Sequence, residues 1–358
     1  MRLDHLWLID FRNYTASELS LPAGLLAVTG ENGAGKTNLL EAVGYLATQS
    51  SFRGVGNDAL VRAGSTQAVV RGAGGRGPRE LLLEAEIRPA GRGRMTVNRQ
   101  PVRRAAELAD ALRVTVFSPD DLELVKAGPT GRRRYLDEIL ASLHPRHDAA
   151  RRDFERVLKQ RNALLSQAAA TRGPLPADIA TTLEVWNARL VQTGEAVGTA
   201  RAELVAALQP VVAKAYADLG GGAVTVAYDA PWREHGLAPA LAAARPEELR
   251  RGISVIGPHR DELALTISGM PARTHASQGE QRSLALALRL AAHDLVTDQV
   301  GEPPLLLLDD VFSELDPARS QALLDHLPAG QSVLTTASTP PPGVTPEAVV
   351  RVADGRVV

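Results

Sequence analysis

The chain has 358 residues, 44% of them hydrophobic, and a formal net charge of −1, a size that accommodates two domains or one large domain carrying an insertion. It contains no cysteine, which excludes disulfides, thiolate metal sites and a Cys-x-x-Cys zinc hook. No stretch approaches the roughly eighteen apolar residues of a membrane span, and the charged start Met1-Arg2-Leu3-Asp4-His5 is unlike a signal peptide, so a cytoplasmic location is expected.

In chain order, Leu3, Leu6, Leu8 and Phe11 mark a first strand, followed by the polar turn Arg12-Asn13-Tyr14. Leu25-Leu26-Ala27-Val28-Thr29 suits a short buried strand, and Asn38-Leu39-Leu40-Glu41-Ala42-Val43 opens a helical pattern. Between them, Gly30-Glu31-Asn32-Gly33-Ala34-Gly35-Lys36-Thr37 fits the phosphate-loop pattern G-x-x-x-x-G-K-[ST] at every fixed position. Its glycines let the backbone close around phosphates, and its N–H groups and the helix N-terminus supply positive partial charge. Lys36 is expected to reach the β and γ phosphates, and Thr37 to hold Mg²⁺ through its hydroxyl. A glycine-rich turn alone would account for the composition, but strand, loop and helix come in the required order, so nucleotide binding is the expectation.

Residues 66–71 and 80–88 are expected strands separated by the loop Gly72-Ala73-Gly74-Gly75-Arg76-Gly77-Pro78, with a hairpin at 95–102 and another strand at 114–117. From Arg132 to Gln167, and from Asp178 to Leu219, apolar residues recur at helical spacing, broken at Gly173-Pro174-Leu175-Pro176. Helices of this length form a compact arm and are too short for a long coiled coil. Strand periodicity returns at Val224-Thr225-Val226-Ala227-Tyr228, and the remainder alternates strand and helix, which points to a parallel α/β core. The expected division is therefore 1–128, a helical block at 129–222, and 223–358.

A phosphate loop needs an acid at the end of another buried strand, and Leu305-Leu306-Leu307-Leu308-Asp309-Asp310 supplies one. Asp309 is expected to orient Mg²⁺ and its waters, and Asp310 to polarise the attacking water. Further upstream, Ser277-Gln278-Gly279-Glu280-Gln281-Arg282 opens a helical run with Ser277 as cap and Glu280 at the third position, a capping box that exposes oriented N–H groups. A well-capped amphipathic helix would look the same. Yet this start lies 32 residues before Asp309 and has a glycine that permits close approach to phosphate, and it resembles the signature motif of ATP-binding-cassette proteins. In that class the signature of one subunit completes the ATP site of the other, so nucleotide holds a dimer together. Ser313 to Asp316 resembles the loop that runs along the dimer interface.

Charge is unevenly spread. Residues 71–104 hold nine Arg against three Glu, 130–161 hold nine basic against five acidic residues, and 294–316 carry seven acids with no Lys or Arg. Basic faces of this kind are compatible with nucleic acid, and equally with the solvated surface of an Arg-rich protein.

Six stretches together resemble bacterial RecF: Asp10-Phe11-Arg12-Asn13-Tyr14; the phosphate loop with Asn38-Leu39-Leu40-Glu41-Ala42; Phe117-Ser118-Pro119-Asp120-Asp121-Leu122-Glu123-Leu124-Val125-Lys126; Arg132-Arg133-Arg134-Tyr135-Leu136-Asp137; Gly257-Pro258-His259-Arg260-Asp261-Glu262; and Ser277-Gln278-Gly279-Glu280-Gln281-Arg282. The resemblance implies an α/β phosphate-loop ATPase head of the cassette and SMC type, with mixed β-sheets and an inserted α-helical arm domain. It implies a DNA repair and replication protein that dimerises on ATP, binds duplex DNA and junctions with single-stranded gaps, acts with RecR and RecO to load RecA, and hydrolyses ATP slowly to time its release. It places Arg12 and Asn13, with Ser277, Gln278 and Gly279, among the nucleotide contacts.

Three features depart from the wider cassette pattern. The second acid is Asp310 rather than Glu, no switch histidine follows Val333-Leu334-Thr335-Thr336-Ala337-Ser338, and Gln49 is too close to the phosphate loop to be a Q-loop glutamine. Thr336 or Ser338 is the expected substitute for the histidine. A transporter ATPase would show both missing elements. The alternatives that remain are a phosphotransfer enzyme acting on a small molecule and a DNA clasp that binds ATP without hydrolysing it. For DNA the candidate contacts are Arg71, Arg76, Arg79, Arg92, Arg94, Arg99, Arg103 and Arg104, with Arg132, Arg133 and Arg134 of the helical block, whose guanidinium groups suit backbone phosphates rather than base edges.

Overall fold

The computed structural model describes residues 2–77, 79–91, 93–103, 105–171, 175–337 and 339–358, apart from the side chains of Ala105, Ala106 and Glu314. Contacts divide the chain into two units.

The first unit runs to Val125 and adds Val211–Gly222 and Ala276–Val358. One of its sheets centres on the strand Leu25–Thr29, which pairs in parallel with Ser332–Thr336 on one side and Ala348–Ala353 on the other. Beyond Ser332–Thr336 lie Leu305–Asp309 and then Val114–Phe117, both also parallel, and Arg356–Val357 closes the opposite edge antiparallel to Ala348–Ala353. All five residues of Leu305–Asp309 are buried, as an unbroken apolar run requires when both faces of a parallel sheet are covered.

The other sheet is antiparallel, in the order Tyr14–Ser20, Arg2–Phe11, Ala68–Arg76, Arg79–Ile87, Arg94–Val97, Gln100–Pro101. In a regular strand, residues three apart face opposite ways. Leu3 and Leu6 are nevertheless both in the core, because the register shifts between Leu3 and His5. Residues 72–76, expected in a loop, are strand instead. The close approach of Arg2 is the reason for glycine here: a Cβ on Gly74 would stand 2.0 Å from the Arg2 carbonyl oxygen. Of that expected loop, Pro78 lies outside the described residues.

The helix Lys36–Thr48 packs against strands of both sheets. Leu39, Leu40, Ala42, Val43 and Leu46 are fully buried in one core with Leu3, Leu6, Leu26, Val28, Leu307 and Val333. Burial around most of its circumference fixes the orientation of its first turn.

The second unit comprises Lys126–Pro210 and Ala223–His275. Its helices are Pro129–Leu143, Pro145–Ala170, the part of Ala177–Asp218 up to Pro210, and Leu237–Arg251, beside a three-stranded antiparallel sheet of Met270–Pro271, Glu262–Ile267 and Val224–Asp229. Residues 223–275 thus group with the helical block instead of with the chain's C-terminal part. Long side chains make the link: Gln209 bonds to the Val224 carbonyl and the Val226 N–H, and Arg132 forks onto Glu262. Phe154, Val157, Leu190, Val197, Trp232, Leu237 and Leu241 form the core. No described helix is long and apolar enough to cross a membrane.

Candidate nucleotide site

The phosphate loop joins Leu25–Thr29 to Lys36–Thr48. Gly30 has φ 154°, and a Cβ there would meet the Val352 carbonyl oxygen at 2.3 Å, so only glycine lets the loop leave the sheet at this point. The loop is tied from outside: the Ala34 carbonyl accepts the Gly355 N–H at 3.0 Å and Asn13 Nδ2 at 2.9 Å, and Tyr14 donates its hydroxyl to the Gly35 carbonyl at 2.9 Å. Asn13 Oδ1 in turn accepts from Asn38 Nδ2 at 2.8 Å. Lys36 folds back over the loop, donating from Nζ to the carbonyls of Gly30 at 2.7 Å and Glu31 at 2.9 Å. Its ammonium lies where phosphate oxygens would replace those carbonyls.

Parallel pairing sets the acids beside the loop. Thr37 Oγ1 donates to Asp309 Oδ1 at 2.9 Å, Thr335 Oγ1 donates to the same oxygen at 2.8 Å, and the Asp310 N–H donates to Thr335 Oγ1 at 2.9 Å. Asp309 is 5% exposed. Burial pushes its carboxyl above the usual carboxylate range, against the two hydroxyl hydrogen bonds, and the Asp310 charge adds to the rise. Asp310 takes a left-handed conformation, φ 49°, and leaves the strand half-buried.

A hydroxyl and a carboxylate held side by side suit a hard divalent cation, whose charge would offset the cost of burying Asp309. Among the described residues there is no cluster of three or more acidic or histidine ligands, so Mg²⁺ held by Thr37 and Asp309 would complete its shell with phosphate and water oxygens.

Arg12 and Asn13 both reach this region. Arg12, at φ 53°, donates from Nε and Nη2 to the two oxygens of Glu41, each at 2.7 Å, and from Nη1 to the Ala59 carbonyl at 2.9 Å. The Glu41 side chain is fully buried and also accepts from Ser51. The guanidinium fork is therefore committed to the helix that follows the loop.

The capping box expected at Ser277 forms. Ser277 Oγ accepts the Glu280 N–H at 3.3 Å, while Glu280 Oε2 accepts the Ser277 N–H at 2.8 Å, at the head of the helix Gln278–Val300. Ser277 and Gln278 are exposed. Gly279 faces Arg319, whose Nη1 donates to Asp316 at 2.9 Å. The hydrogen bonds of Ser277 run to Glu280 and, from the Gln281 N–H to its carbonyl, to Gln281 of the same helix start.

Comparison with known proteins places this geometry. The RecF/RecN/SMC N terminal domain matches residues 2–337. The "DNA replication and repair protein RecF" of Frankia alni is 44% identical, covering 94% of this chain and 93% of its own, and that of Streptomyces avermitilis is 42% identical, covering 100% and 99%. The chain belongs to the RecF family. A solved structure of "the recombination mediator protein RecF-ATP in RecFOR pathway" superposes with a TM-score of 0.90 at 27% identity, covering 99% of this chain and 96% of that one. The Smc head domain of Pyrococcus furiosus, 17% identical with a TM-score of 0.56 over 99% of this chain and 95% of that one, shares the fold. The cassette and SMC type of head expected from the sequence is thus the fold found.

Other residues that carry the RecF-family resemblance have structural duties. Arg132 is buried and bonds Glu262 bidentately at 2.7 and 2.8 Å and the Ala127 carbonyl at 2.9 Å, so it is withdrawn from the candidate DNA contacts. Arg133 donates to the Asp261 carbonyl and to Thr130, while Arg134 is exposed. His259, pushed down to a pKa of about 4 chiefly by burial, lies against the Ser254 carbonyl in the second unit. Arg71 pairs with Glu84 and Arg76 with Glu302, and Arg79, Arg94, Arg99 and Arg103 are exposed. Arg92, Arg104 and Ser338 lie outside the described residues. Thr336 is half-buried. The residue missed was its neighbour Thr335, which the sequence does not single out because Ser332 and Thr336 of the same strand also carry hydroxyls.

Proposed function

We propose that the chain is an ATP-dependent DNA-binding protein of replication and recombinational repair in the cytoplasm. The single observation that carries this is a complete phosphate-and-metal half-site, Lys36, Thr37, Asp309 and Asp310, in the same unit as an exposed helix start whose Ser277 side chain is capped by Glu280. Two copies arranged head to tail would bring each Ser277-Gln278-Gly279 onto the nucleotide of the other. ATP is the nucleotide, as in the RecF-ATP structure that this chain resembles, with Mg²⁺ on Thr37 and Asp309. Gly30 to Thr37 cradle the phosphates, Asn13 orders the loop, Lys36 neutralises phosphate charge, and Asp310 polarises water.

In this reading the head is built from both ends of the chain together with Val211–Gly222, and the inserted arm comprises Lys126–Pro210 with the sheet of residues 224–271 packed beside its helices. The ATP-bound dimer clamps duplex DNA next to single-stranded gaps and, with RecR and RecO, promotes RecA loading. Slow, DNA-dependent hydrolysis releases it. A phosphotransfer enzyme would use the same loop but would have no use for the exposed capped signature.

The test is the solution mass without nucleotide, with ATP and Mg²⁺, and with ADP, for the native chain and Ser277→Arg. A monomer that dimerises with ATP alone, and not in the variant, is expected. A mass indifferent to nucleotide, with ATP still bound, would reopen the phosphotransfer reading.

A further inference from the structure

The strand Ser332–Thr336 pairs in parallel with Leu305–Asp309 so that Thr335 stands opposite Asp309. Thr335 is 1% exposed, so its hydroxyl cannot be satisfied by water. A backbone N–H can only donate, hence the Asp310 N–H fixes which side of Thr335 Oγ1 accepts, and the single hydroxyl proton goes to the nearer of two acceptors, Asp309 Oδ1 at 2.8 Å rather than the Leu308 carbonyl at 3.5 Å. One oxygen therefore holds both acids. It orients the Asp309 carboxylate, and it anchors the backbone of Asp310, which has left the strand in a left-handed conformation at φ 49°.

We propose that Thr335 is a positioning residue for the metal half of the site, coupling Asp309 and Asp310 into one unit. Thr37 and Thr335 both donate to Oδ1, which leaves Oδ2 as the edge of Asp309 offered to a cation or its waters. Thr335 is buried behind Asp309 and acts through it, as outer partners of metal ligands do. The proposal rests on the reading of the site as one for ATP with Mg²⁺. It goes beyond that reading by assigning the orientation of both acids to a residue that would touch neither metal nor nucleotide.

A merely structural threonine would fill the strand with its methyl group and satisfy its own hydroxyl. The two roles separate in binding of a fluorescent ATP analogue, titrated with Mg²⁺ and, separately, in EDTA. Thr335→Val keeps the volume and removes the hydroxyl. It is expected to raise the Mg²⁺ concentration for half-maximal tight binding by about tenfold or more, leaving affinity in EDTA unchanged. Thr335→Ser, which keeps the hydroxyl and loses the methyl, is expected to titrate like the native chain. A Val variant that titrates like the native chain overturns the proposal, and so does a Ser variant as impaired as Val. If Val does not fold, the Ser variant alone decides: native-like Mg²⁺ dependence supports the role, and its loss refutes it. A native chain that binds the analogue with no Mg²⁺ dependence refutes the metal reading itself, a result distinct from a failure confined to the variants.

Discussion

Arg12 grips both carboxylate oxygens of Glu41 at 2.7 Å, joining the turn after the first strand to the helix that the phosphate loop opens. The Glu41 side chain is fully buried and that of Arg12 is 15% exposed, so removing one partner strands a charge away from water. Arg12→Ala is expected to cost about 3–5 kcal/mol in urea unfolding. The double variant Arg12→Ala with Glu41→Ala should recover part of that loss. An unchanged unfolding midpoint combined with weaker ATP binding would instead make Arg12 a direct nucleotide contact.

In the proposed reaction Asp310, half-buried just past the end of the strand Leu305–Asp309, accepts the proton from the attacking water. Asp310→Asn keeps the shape and removes the base. Phosphate release should fall by about a hundredfold or more, while ATP-induced dimerisation, read by solution mass, persists. Hydrolysis at the native rate would assign the proton to another acceptor.

The phosphate loop, the acid strand and the capped helix start were legible in the sequence because each is a contiguous pattern whose chemistry is set within a few residues. The cassette type of head was legible for the same reason. Features joining distant segments were not. The pattern of Gly72 to Pro78 reads as a loop, since nothing in it reveals that Arg2 runs alongside Gly74. Arg132 reads as a surface cation because its partner Glu262 is 130 residues away. Thr335 is not legible as the partner of Asp309, because which residue stands opposite Asp309 depends on the register of Ser332–Thr336 with Leu305–Asp309, which only pairing defines.

Arg94 and Arg99 are exposed on and just beyond the strand Arg94–Val97. If they bind DNA phosphates, reversing both charges should weaken duplex binding without altering ATP affinity. The slope of log affinity against log salt should shrink by about 0.9 for each phosphate that is no longer neutralised. Unchanged affinity near physiological salt would remove this face from the DNA surface.

His293, within the helix Gln278–Val300, is 1% exposed; its Nδ1 meets Thr115 Oγ1 at 3.1 Å and its Nε2 has no hydrogen-bond partner. Burial pushes its pKa down from 6.5 to about 4. The unfolded chain therefore binds a proton at this histidine as pH falls through 6.5, while the folded chain stays neutral until about 4. Stability from this residue is complete above the higher value and drains away toward the lower one. By about pH 5 the loss amounts to about 2 kcal/mol. His293→Gln retains a side chain able to bond Thr115 and cannot be protonated. In urea unfolding at about pH 7.5 and about pH 5, the drop in stability should be smaller in the variant by about that amount. Equal drops in both proteins would show that His293 ionises in the folded state as readily as in the unfolded one.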